Sequence, residues 1–526
     1  MKKISIIISA LVFISSAVFS QGQLDAYKYS QTDLGGTARY LGMGGAFGAL
    51  GGDISVMSAN PAGLAVYRSS EIVTTLSHKV ISTSTNQPTA TGSSNRFNFD
   101  NIAYVGYFPS SNDAGILGWN VGFSYNRLKD YHRNYTMLSM GDKDYSLSDY
   151  IAERANAKGV HKDDLSYSNG YDPYASPNGN DWLSVLGYDA VFIDAMDVGN
   201  RYISAFGENV NGTMHPFQLS GRELNVRERG AIDQYNIAFG LNISDIALVG
   251  ANVAITNISY HYNSYFAEDF ANNNYLNLEN WLRTEGSGYA LNVGAILRPV
   301  NFLRVGVAYN SPTWYEMTDR YQATANSVTN YWDEPRIDIR TPEGITEYQY
   351  RSPDKWLFSV AAIIGRTALL SVDYELTNYK NMKMYDWEGI EDQVTNNEVN
   401  TNFASVGALR VGGEVKVTPR FAVRAGAAWI GNPMNNVLKN ATSEVYTVGT
   451  IPHYTTEESI TNYTVGLGYR FTSNFYMDIA CVLKAQKENL YGFSKIYADN
   501  ELIINSTPTV LKTNTTHVAL TLGYKF

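Results

Sequence analysis

The sequence has little of what stabilises many secreted domains, because Cys481 is the only cysteine among 526 residues. One cysteine cannot form an intramolecular disulfide, and its late position excludes a lipid anchor on an N-terminal cysteine. Long hydrophobic runs are also missing, since no stretch of about 18 apolar residues follows Val18. This pattern excludes transmembrane helices. A membrane-embedded form of the chain must satisfy its backbone hydrogen bonds as a closed β-barrel.

Basic residues and paired histidines are scarce too. Lys and Arg total 40 against 50 Asp and Glu, and no compact basic run occurs, which argues against nucleic acid as a partner. The seven histidines form no H-x-x-x-H pair, so the sequence predicts no metal site, no haem and no other cofactor. Hydrolases of the outer membrane place a catalytic serine and histidine on the barrel wall, and His517 on the last predicted strand is the candidate for such a histidine. No G-x-S-x-G motif accompanies it, and we predict no enzyme.

Residues 1–20 have the pattern of a signal peptide. Lys2 and Lys3 precede an apolar run from Ile4 to Val18, and Val18 and Ser20 have the A-x-A spacing of a cleavage site. The run is too short and wrongly flanked for a spanning helix. Cleavage after Ser20 changes the formal charge from −10 to 38 minus 50, which is −12. A retained N-terminal anchor is the alternative.

Aromatic residues and glycine are abundant, with 39 tyrosines and 44 glycines, which is typical of pleated strands with aromatic belts. The last residues alternate between apolar and polar or small side chains, and this predicts a strand with one face toward lipid and one toward a lumen. A soluble edge strand is the alternative. The terminal Phe526 resembles the signal that outer-membrane assembly machinery reads, which makes that machinery an expected partner. The apolar positions are Val518, Leu520, Leu522, Tyr524 and Phe526.

The same period of two recurs in about fourteen segments. Short connections alternate with long ones, the longest at residues 129–229, as in barrels with short periplasmic turns and long external loops. A β-propeller would repeat a motif roughly every 40 to 50 residues, and none repeats here. We therefore predict an all-β fold, a transmembrane antiparallel β-barrel of about 14 strands. The predicted strands are residues 72–80, 97–108, 119–125, 235–243, 249–255, 289–297, 303–309, 356–364, 370–376, 409–417, 421–429, 463–471, 475–483 and 518–526.

The predicted external loops carry helix signals. Within residues 129–229, Ser146 and Asp181 stand at N-cap positions before helical patterns. Within the predicted loop at residues 261–285, apolar residues including Leu278 and Leu282 have helical spacing. These side chains either offer an outer catch site for an apolar ligand or pack within the loop.

Residues 21–69, which we call the hatch, contain the run GGTARYLGMGGAFGALGGDISVMSANPAGLAVY. The run has no strand pattern, and glycine permits close backbone approach, so the hatch can fold inside a barrel formed by residues 70–526. A dinucleotide-binding loop is disfavoured, because Phe47 takes the third glycine position of G-x-G-x-x-G and no strand precedes it.

The hatch resembles that of the FadL family, which transports long-chain fatty acids and hydrocarbons across the outer membrane. There a glycine-rich stretch is followed by an Asn-Pro-Ala motif and the first barrel strand, and here GMGGAF at residues 42–47 precedes Asn60, Pro61 and Ala62. Residues 288–313 are similar to a central hairpin of the family. A plain Asn-Pro turn is the alternative for the motif. The loop at residues 129–229 departs from the family and leaves the ligand undetermined.

The resemblance implies passive uptake of a hydrophobic molecule, which enters from outside and leaves through a side opening into the membrane. An apolar pocket lowers the barrier that the polysaccharide layer presents to such a molecule, and a plug prevents an aqueous leak. The expected surroundings are outer-membrane lipid and lipopolysaccharide. The alternative is a FadL-fold docking subunit of a protein secretion system, with residues 129–229 as its partner surface.

Two sets of residues are predicted to contact the ligand. The apolar set either lines a pocket or packs against the inner wall: Leu41, Met43, Phe47, Leu50 and Leu64. The charged set faces the lumen if the apolar alternation faces lipid: Arg304, Asp373, Glu375, Arg410, Glu414, Lys416, Arg424, Arg470 and Asp478. These charges either form an ion network between hatch and wall, or one arginine among Arg304, Arg410 and Arg424 binds a fatty carboxylate.

Overall fold

The computed structural model describes residues 22–526, apart from residues 87, 113, 141–144, 169, 177–178, 197–200, 211–212, 330–334, 366 and 499–500. The predicted signal peptide lies outside this part. The strands are β1 Glu71–Thr85, β2 Thr91–Pro109, β3 Ile116–Asp130, β4 Arg133–Met140, β5 Ile193–Ala195, β6 Tyr202–Ser204, β7 Gly207–Val210, β8 Thr213–Pro216, β9 Leu219–Ile243, β10 Ala247–Phe270, β11 Tyr275–Val300, β12 Leu303–Asn310, β13 Trp314–Val328, β14 Arg336–Arg340, β15 Gly344–Arg351, β16 Lys355–Ile364, β17 Ala368–Asn378, β18 Lys383–Asp386, β19 Ser405–Lys416, β20 Phe421–Ile430, β21 Tyr454–Arg470, β22 Phe475–Tyr491, β23 Ile496–Ala498, β24 Glu501–Ile504 and β25 Thr509–Lys525.

Helices are few by comparison. The α-helices are α1 Gln23–Ser30, α2 Ala38–Gly42, α3 Val56–Ala59, α4 Leu147–Ala157, α5 Trp182–Asp189, α6 Gln393–Asn402 and α7 Asn436–Lys439. Short 3-10 helices lie at Pro61–Val66, Lys162–Asp164, Pro173–Ala175, Ala271–Asn273 and Tyr379–Asn381. Over the described ranges, no helix is both long enough and apolar enough to cross a membrane.

Fourteen of the strands close into an antiparallel barrel. The ring closes where β1 pairs with β2 on one side and with β25 on the other, so that Ile72 stands opposite both Tyr104 and Tyr524. A closed ring has no free edge, and its backbone groups satisfy one another. Each predicted segment falls on a different strand of the ring, and the predicted fold class is confirmed. The ring order is β1, β2, β3, β9, β10, β11, β12, β16, β17, β19, β20, β21, β22 and β25.

The outer face of the ring is apolar. On β25, Leu520 and Leu522 are 36% and 37% exposed, while the intervening Thr521 is 1% exposed. Lipid solvates such a surface and water does not, so this face belongs to a transmembrane barrel. The same outward position is held on other strands by Ile72, Phe123, Ile237, Val253, Leu291, Phe358 and Leu467.

Beyond this apolar belt, on the side of the long connections, the wall continues and its alternation inverts. On β10, Val253 and Ile255 face outward, but farther along the strand Tyr260 and Phe266 are buried inside while their polar neighbours face outward. The lipid-facing pattern ends there because the strand has left the membrane and meets water on its outer side. The apolar residues then line the interior of a cup above the membrane.

This inversion corrects two predicted loops. Residues 261–285 do not form a loop with a helix, since β10 runs to Phe270, β11 begins at Tyr275, and Leu278 and Leu282 face inward on a strand. The predicted loop at residues 129–229 is likewise too long, because β3 ends at Asp130 and β9 already begins at Leu219. The period of two persists in both places, but with the apolar face reversed. The predicted helix starts at Ser146 and Asp181 are confirmed, and both side chains cap their helices.

Helices α4 and α5, which lie between β3 and β9, fold over the outer mouth of the cup. Ile151 on α4 and Leu186 on α5 are fully buried in one large apolar cluster with Phe266, Phe270 and Phe493. The outer loops therefore pack on the barrel rather than standing free in solvent.

Candidate functional site

The hatch crosses the lumen from its outer end to its short-turn end. Near the outer end, Tyr350 on β15 donates a hydrogen bond to the carbonyl of Ala26 in α1 at 2.7 Å, and Asn402 on α6 donates to Gln23 at 2.9 Å. Near the short-turn end, the 3-10 helix Pro61–Val66 contacts β9, β10 and β11. The hatch then leads into β1.

The Asn60-Pro61-Ala62 motif forms a fixed turn against the wall. Asn60 is fully buried, donates to the carbonyl of Gly48 at 2.7 Å and accepts from the backbone N–H of Ala62 at 3.2 Å. Pro61 begins the 3-10 helix, where its missing N–H is not needed. Gly240, Gly250 and Gly294 stand side by side on β9, β10 and β11, and a β-carbon on Gly250 would overlap Pro61. The wall is therefore shaped for this turn.

The five predicted apolar contacts of the hatch are all buried against the inner wall. Their side chains are at most 3% exposed. Met43, Phe47 and Leu50 pack in a cluster with Ala361 of β16, Leu41 packs against β22 and β25, and Leu64 packs against β1, β2 and β9. The cavities described below have other linings. These residues hold the hatch in place, and the ligand contacts that we propose lie elsewhere.

Charged lumen residues form the predicted network between hatch and wall. Arg424 donates to Glu414 at 2.7 Å and to Asp478 at 2.6 Å, and Arg39 of the hatch donates to Glu414 at 2.9 Å. All four lie at a cavity of about 210 Å³ near the short-turn end. Arg424 is thereby committed to two carboxylates.

The other predicted arginines are also engaged. Arg304 donates to the backbone carbonyl of Leu50 in the hatch. Arg410 donates to Glu375 at 3.0 Å, although it also faces a cavity beside the hatch. Asp373 accepts from the backbone N–H of Gly48 at 2.8 Å. Lys416 and Arg470 lie exposed at the short-turn rim and take no part in this network.

A cavity of about 180 Å³ lies above the hatch, inside the cup. An apolar cavity of about 150 Å³ is large enough for one benzene molecule, so this space accommodates a small amphiphile or a single aromatic ring. A second cavity, of about 210 Å³, lies on the other side of hatch residues 27–34. Apolar and aromatic residues of the first cavity include Leu24, Tyr131, Tyr260, Tyr262, Leu282, Val448, Ile451 and Tyr454.

The inner end of the first cavity is charged. Lys79, Lys129 and Lys484 face it from the wall, and Asp33 faces it from the hatch. At its outer end, burial lowers the pKa of His453 to about 3, aided by the charge of Lys28. His453 is therefore neutral, and the hydroxyl of Tyr262 contacts its Nε2. The cavity thus joins an aromatic end to an end where lysines are paired with carboxylates.

A seam in the wall adjoins this cavity. The ladder between β2 and β3 starts at Asn101 opposite Asn126, and outward of that pair the described residues of the two strands are no longer paired through their backbones. Asn98 donates to Asp130 at 2.7 Å, and Arg96 lies 2.8 Å from Nδ1 of His132. Asp130 and His132 also line the cavity. No backbone ladder joins the described residues of β2 and β3 at this level, so the wall can open here with less loss of backbone bonding than elsewhere.

Comparison with solved structures bears on this arrangement. A FadL homologue from Pseudomonas aeruginosa aligns over 94% of this chain and 99% of its own, with 12% identity and a TM-score of 0.52. The chain has the FadL-type fold. Two toluene transporters align less closely: TodX from Pseudomonas putida, over 94% of this chain and 100% of its own, with 11% identity and a TM-score of 0.49, and TbuX from Ralstonia pickettii, over 94% and 99%, with 12% identity and a TM-score of 0.47. No protein-family model and no curated protein matches the sequence.

Sequence reasoning on this FadL-type barrel missed the residues that line the first cavity. Tyr260, Tyr262 and Leu282 belong to strand extensions that were taken for a loop, and an inverted alternation is the signal that identifies them. Lys129 and Lys484 lie just past the ends of predicted strands, where no local pattern marks them. The described residues contain no group of three His, Cys, Asp or Glu side chains suited to a metal ion.

Proposed function

We propose that this protein carries small hydrophobic or amphiphilic molecules across the bacterial outer membrane. The observation that carries the proposal is the cavity of about 180 Å³ inside the cup, which is lined by the hatch on one side and by residues of the outer loops on the other. Apolar burial favours entry of such a molecule from water, and the hatch blocks free diffusion of polar solutes. The protein acts as a passive transporter and not as an enzyme.

The route that we propose has an entrance, a site and an exit. The ligand enters beneath the outer loops, binds among Tyr260, Tyr262 and Leu282, and leaves through the seam between β2 and β3. The exposed ring of Phe99 and the half-buried ring of Tyr125 stack beside this seam, with centroids 5.8 Å apart, as aromatic residues do at the edge of a bilayer. Exit at this level delivers an apolar molecule to lipid.

The membrane supplies the remaining partners. We propose that outer-membrane lipid and lipopolysaccharide cover the apolar belt, and that assembly machinery reads the exposed Phe526. The alternative of a docking subunit gains no support, because the apolar faces of α4 and α5 are buried on the barrel. Those helices offer no unused apolar face to a partner.

A pair of substitutions on one strand tests transport. Leu282→Trp fills the cavity, since Leu282 is 2% exposed, and Leu291→Trp on the same strand places the same bulk toward lipid, since Leu291 is 56% exposed. We expect Leu282→Trp to remove most uptake of radiolabelled octanoate and toluene by cells, and Leu291→Trp to leave uptake near that of the parent protein. Equal uptake by both variants at equal surface expression would refute the proposed site.

A further inference from the structure

A groove of about 760 Å³ lies on the outer face of the cup, where it crosses β4, β9, β10, β11 and β13. On β9, Tyr235 and Ile237 face lipid and are 47% and 52% exposed. Arg229, at the membrane-side end of the groove, lies six residues farther out on the same strand. At about 3.4 Å per residue on a strand tilted by roughly 40°, six residues span a height of about 15 Å. The groove therefore lies outside the hydrocarbon of the membrane.

Three arginines gather at the membrane-side end of this groove. Arg227 and Arg229 line it from β9, and Arg96 approaches from β2. Burial lowers the pKa of Arg229, and the charges of Arg227 and Arg96 lower it further. The carboxylates of Asp130 and Glu228 oppose this change. An anion placed between the guanidinium groups would relieve their mutual repulsion.

The carboxylates near these arginines are paired with other cations or lie at a distance. Asp130 lies 3.6 Å from Nζ of Lys79, and Glu228 accepts from Arg133 at 2.7 Å. Glu279 lines the groove from β11, two strands away from β9 and so about 10 Å across the sheet. The membrane-side end of the groove is therefore positively charged. Ion pairs with carboxylates of the described ranges are absent for Arg96, Arg227 and Arg229.

The two arginines of β9 also keep donors for a ligand. The side chain of Arg227 is exposed and makes no hydrogen bond to another described residue. Arg229 donates through Nη1 to the backbone carbonyls of Arg133 at 3.3 Å and Glu228 at 2.6 Å. Its Nε and Nη2 make no hydrogen bond within the part of the chain that the structure describes. Guanidinium groups with unused N–H donors bind phosphate in a bidentate manner.

The rest of the groove combines aromatic rings with side-chain amides. Tyr265 on β10 and Trp281 on β11 are half-buried on this outer face. Trp281 stands opposite Asn263 on one side and Gln322 on the other, and its Nε1 donates to Oε1 of Gln322 at 3.5 Å. A ring set among amides suits a sugar, whose C–H face packs on the ring while its hydroxyls bond to the amides.

We propose that this groove binds the sugar and phosphate part of one lipopolysaccharide molecule. Arg227 and Arg229 hold a phosphate, and Trp281 and Tyr265 pack against sugar rings. The inference rests on the outer-membrane location in the proposed function, to which it adds a defined lipid site. A phospholipid is too short for this site, because its head group extends only about 5–8 Å beyond the hydrocarbon. The sugars of lipopolysaccharide continue outward along the wall.

A comparison of phosphorylated and dephosphorylated ligand tests the arginines. The purified full chain in detergent micelles is mixed with rough lipopolysaccharide, either intact or stripped of its phosphates, and bound molecules are counted by native mass spectrometry. We expect the parent protein to prefer the intact form about tenfold. In Arg227→Gln with Arg229→Gln the two forms should bind about equally. Arg227→Gln alone, at an exposed position, should lose part of the preference and keeps the test available if the double variant fails to insert.

The matched control removes two other arginines from the same outer face. Arg283 pairs with Glu285 at 2.5 Å and Arg320 with Glu343 at 3.3 Å, and neither arginine lines the groove. Arg283→Gln with Arg320→Gln changes the net charge by the same amount. This control should keep the parent preference for the intact form.

A second pair of variants tests the sugar contact. We expect Trp281→Ala to bind rough lipopolysaccharide several-fold less than the parent protein but to bind lipid A, which lacks the core sugars, equally well. Trp387→Ala is the control, since Trp387 is 67% exposed on the outer face and does not line the groove. It should leave both affinities unchanged.

Four outcomes would overturn the inference. They are an undiminished preference for the intact form in Arg227→Gln with Arg229→Gln, an equal loss of preference in the control pair, an equal effect of Trp281→Ala on lipid A, and full displacement of lipopolysaccharide by phosphatidylglycerol or inorganic phosphate. None of these outcomes touches uptake, which the Leu282→Trp variant tests separately. Absence of the parent protein from outer-membrane fractions would overturn the proposed function as well.

Discussion

Asn60 of the hatch and Gly294 of β11 approach so closely that a β-carbon on Gly294 would overlap Oδ1 of Asn60. Gly294→Val should therefore push the hatch turn off the wall at a cost of about 1–3 kcal/mol, without breaking the strand ladder. We expect lower octanoate uptake, faster proteolysis at Arg39 and an unchanged difference in gel migration between heated and unheated samples. Gly413→Val is the control, since a β-carbon there has no atom nearer than 3.5 Å.

The motif itself gives a second prediction. Replacing Asn60 and Pro61 together by alanine removes the bond to the carbonyl of Gly48, which is then buried without that partner at a cost of about 1–3 kcal/mol. Hydrophobic uptake should fall, while leakage of small polar dyes stays low unless residues 21–69 are deleted entirely. Unchanged uptake at equal surface expression would show that the motif is only a turn.

The barrel could be predicted from the sequence because lipid imposes a strict period of two on every wall strand. Leu520 and Thr521 on β25 show the rule directly, with 36% and 1% exposure. The rule fails where the wall leaves the membrane, since Tyr260 and Phe266 face inward among polar neighbours that face water. A pattern scan that assumes apolar residues outside reads this inverted segment as a loop.

The site was less accessible to sequence reasoning. Asn60, Pro61 and Ala62 stand in one local motif, and so their contacts could be anticipated. Lys129 and Lys484 lie 96 and 451 positions after Asp33 in the chain, and it is the closed ring that brings the three residues together. The predicted arginines drew attention because arginine binds carboxylates well, but the network with Glu414, Glu375 and Asp478 already uses Arg410 and Arg424.

The Arg424 network gives a prediction about stability. Arg424→Met leaves Asp478 with no ion-pair partner among the described residues, although Glu414 keeps Arg39. Removing one member of a buried ion pair costs about 3–5 kcal/mol. The midpoint of urea unfolding in lipid vesicles should fall accordingly. Arg470→Met, at an exposed position on the rim, should leave the midpoint close to that of the parent protein.

Outside the membrane, Glu398 on α6 makes the outer loops sensitive to pH. Burial, together with the negative charges of Asp392 and Glu444, raises its pKa from 4.5 to about 7. A carboxyl whose pKa is raised on folding favours the folded loop when it is protonated, and this contribution disappears as pH rises through about 7. The protection of α6 amides against hydrogen exchange, corrected for the intrinsic pH dependence of exchange, should therefore fall as pH rises from about 4.5 to about 7, the interval between the ordinary pKa and the raised one. In Glu398→Gln this pH dependence of the protection should be lost.

The last prediction concerns Phe526, whose side chain is 61% exposed and whose backbone N–H and carbonyl both bond Ser70 where the ring closes. Deleting the residue removes that backbone pair and the ring together, whereas Phe526→Ala removes the ring alone. An exposed side chain contributes little packing, so Phe526→Ala should leave the unfolding midpoint nearly unchanged.

If assembly machinery reads the ring of Phe526, the Phe526→Ala variant should reach the outer membrane several-fold less than the parent protein, while Phe526→Tyr should insert almost normally. Quantifying heat-modifiable protein in outer-membrane fractions separates the two effects. Normal insertion of Phe526→Ala would mean that the terminal residue serves ring closure and not recognition.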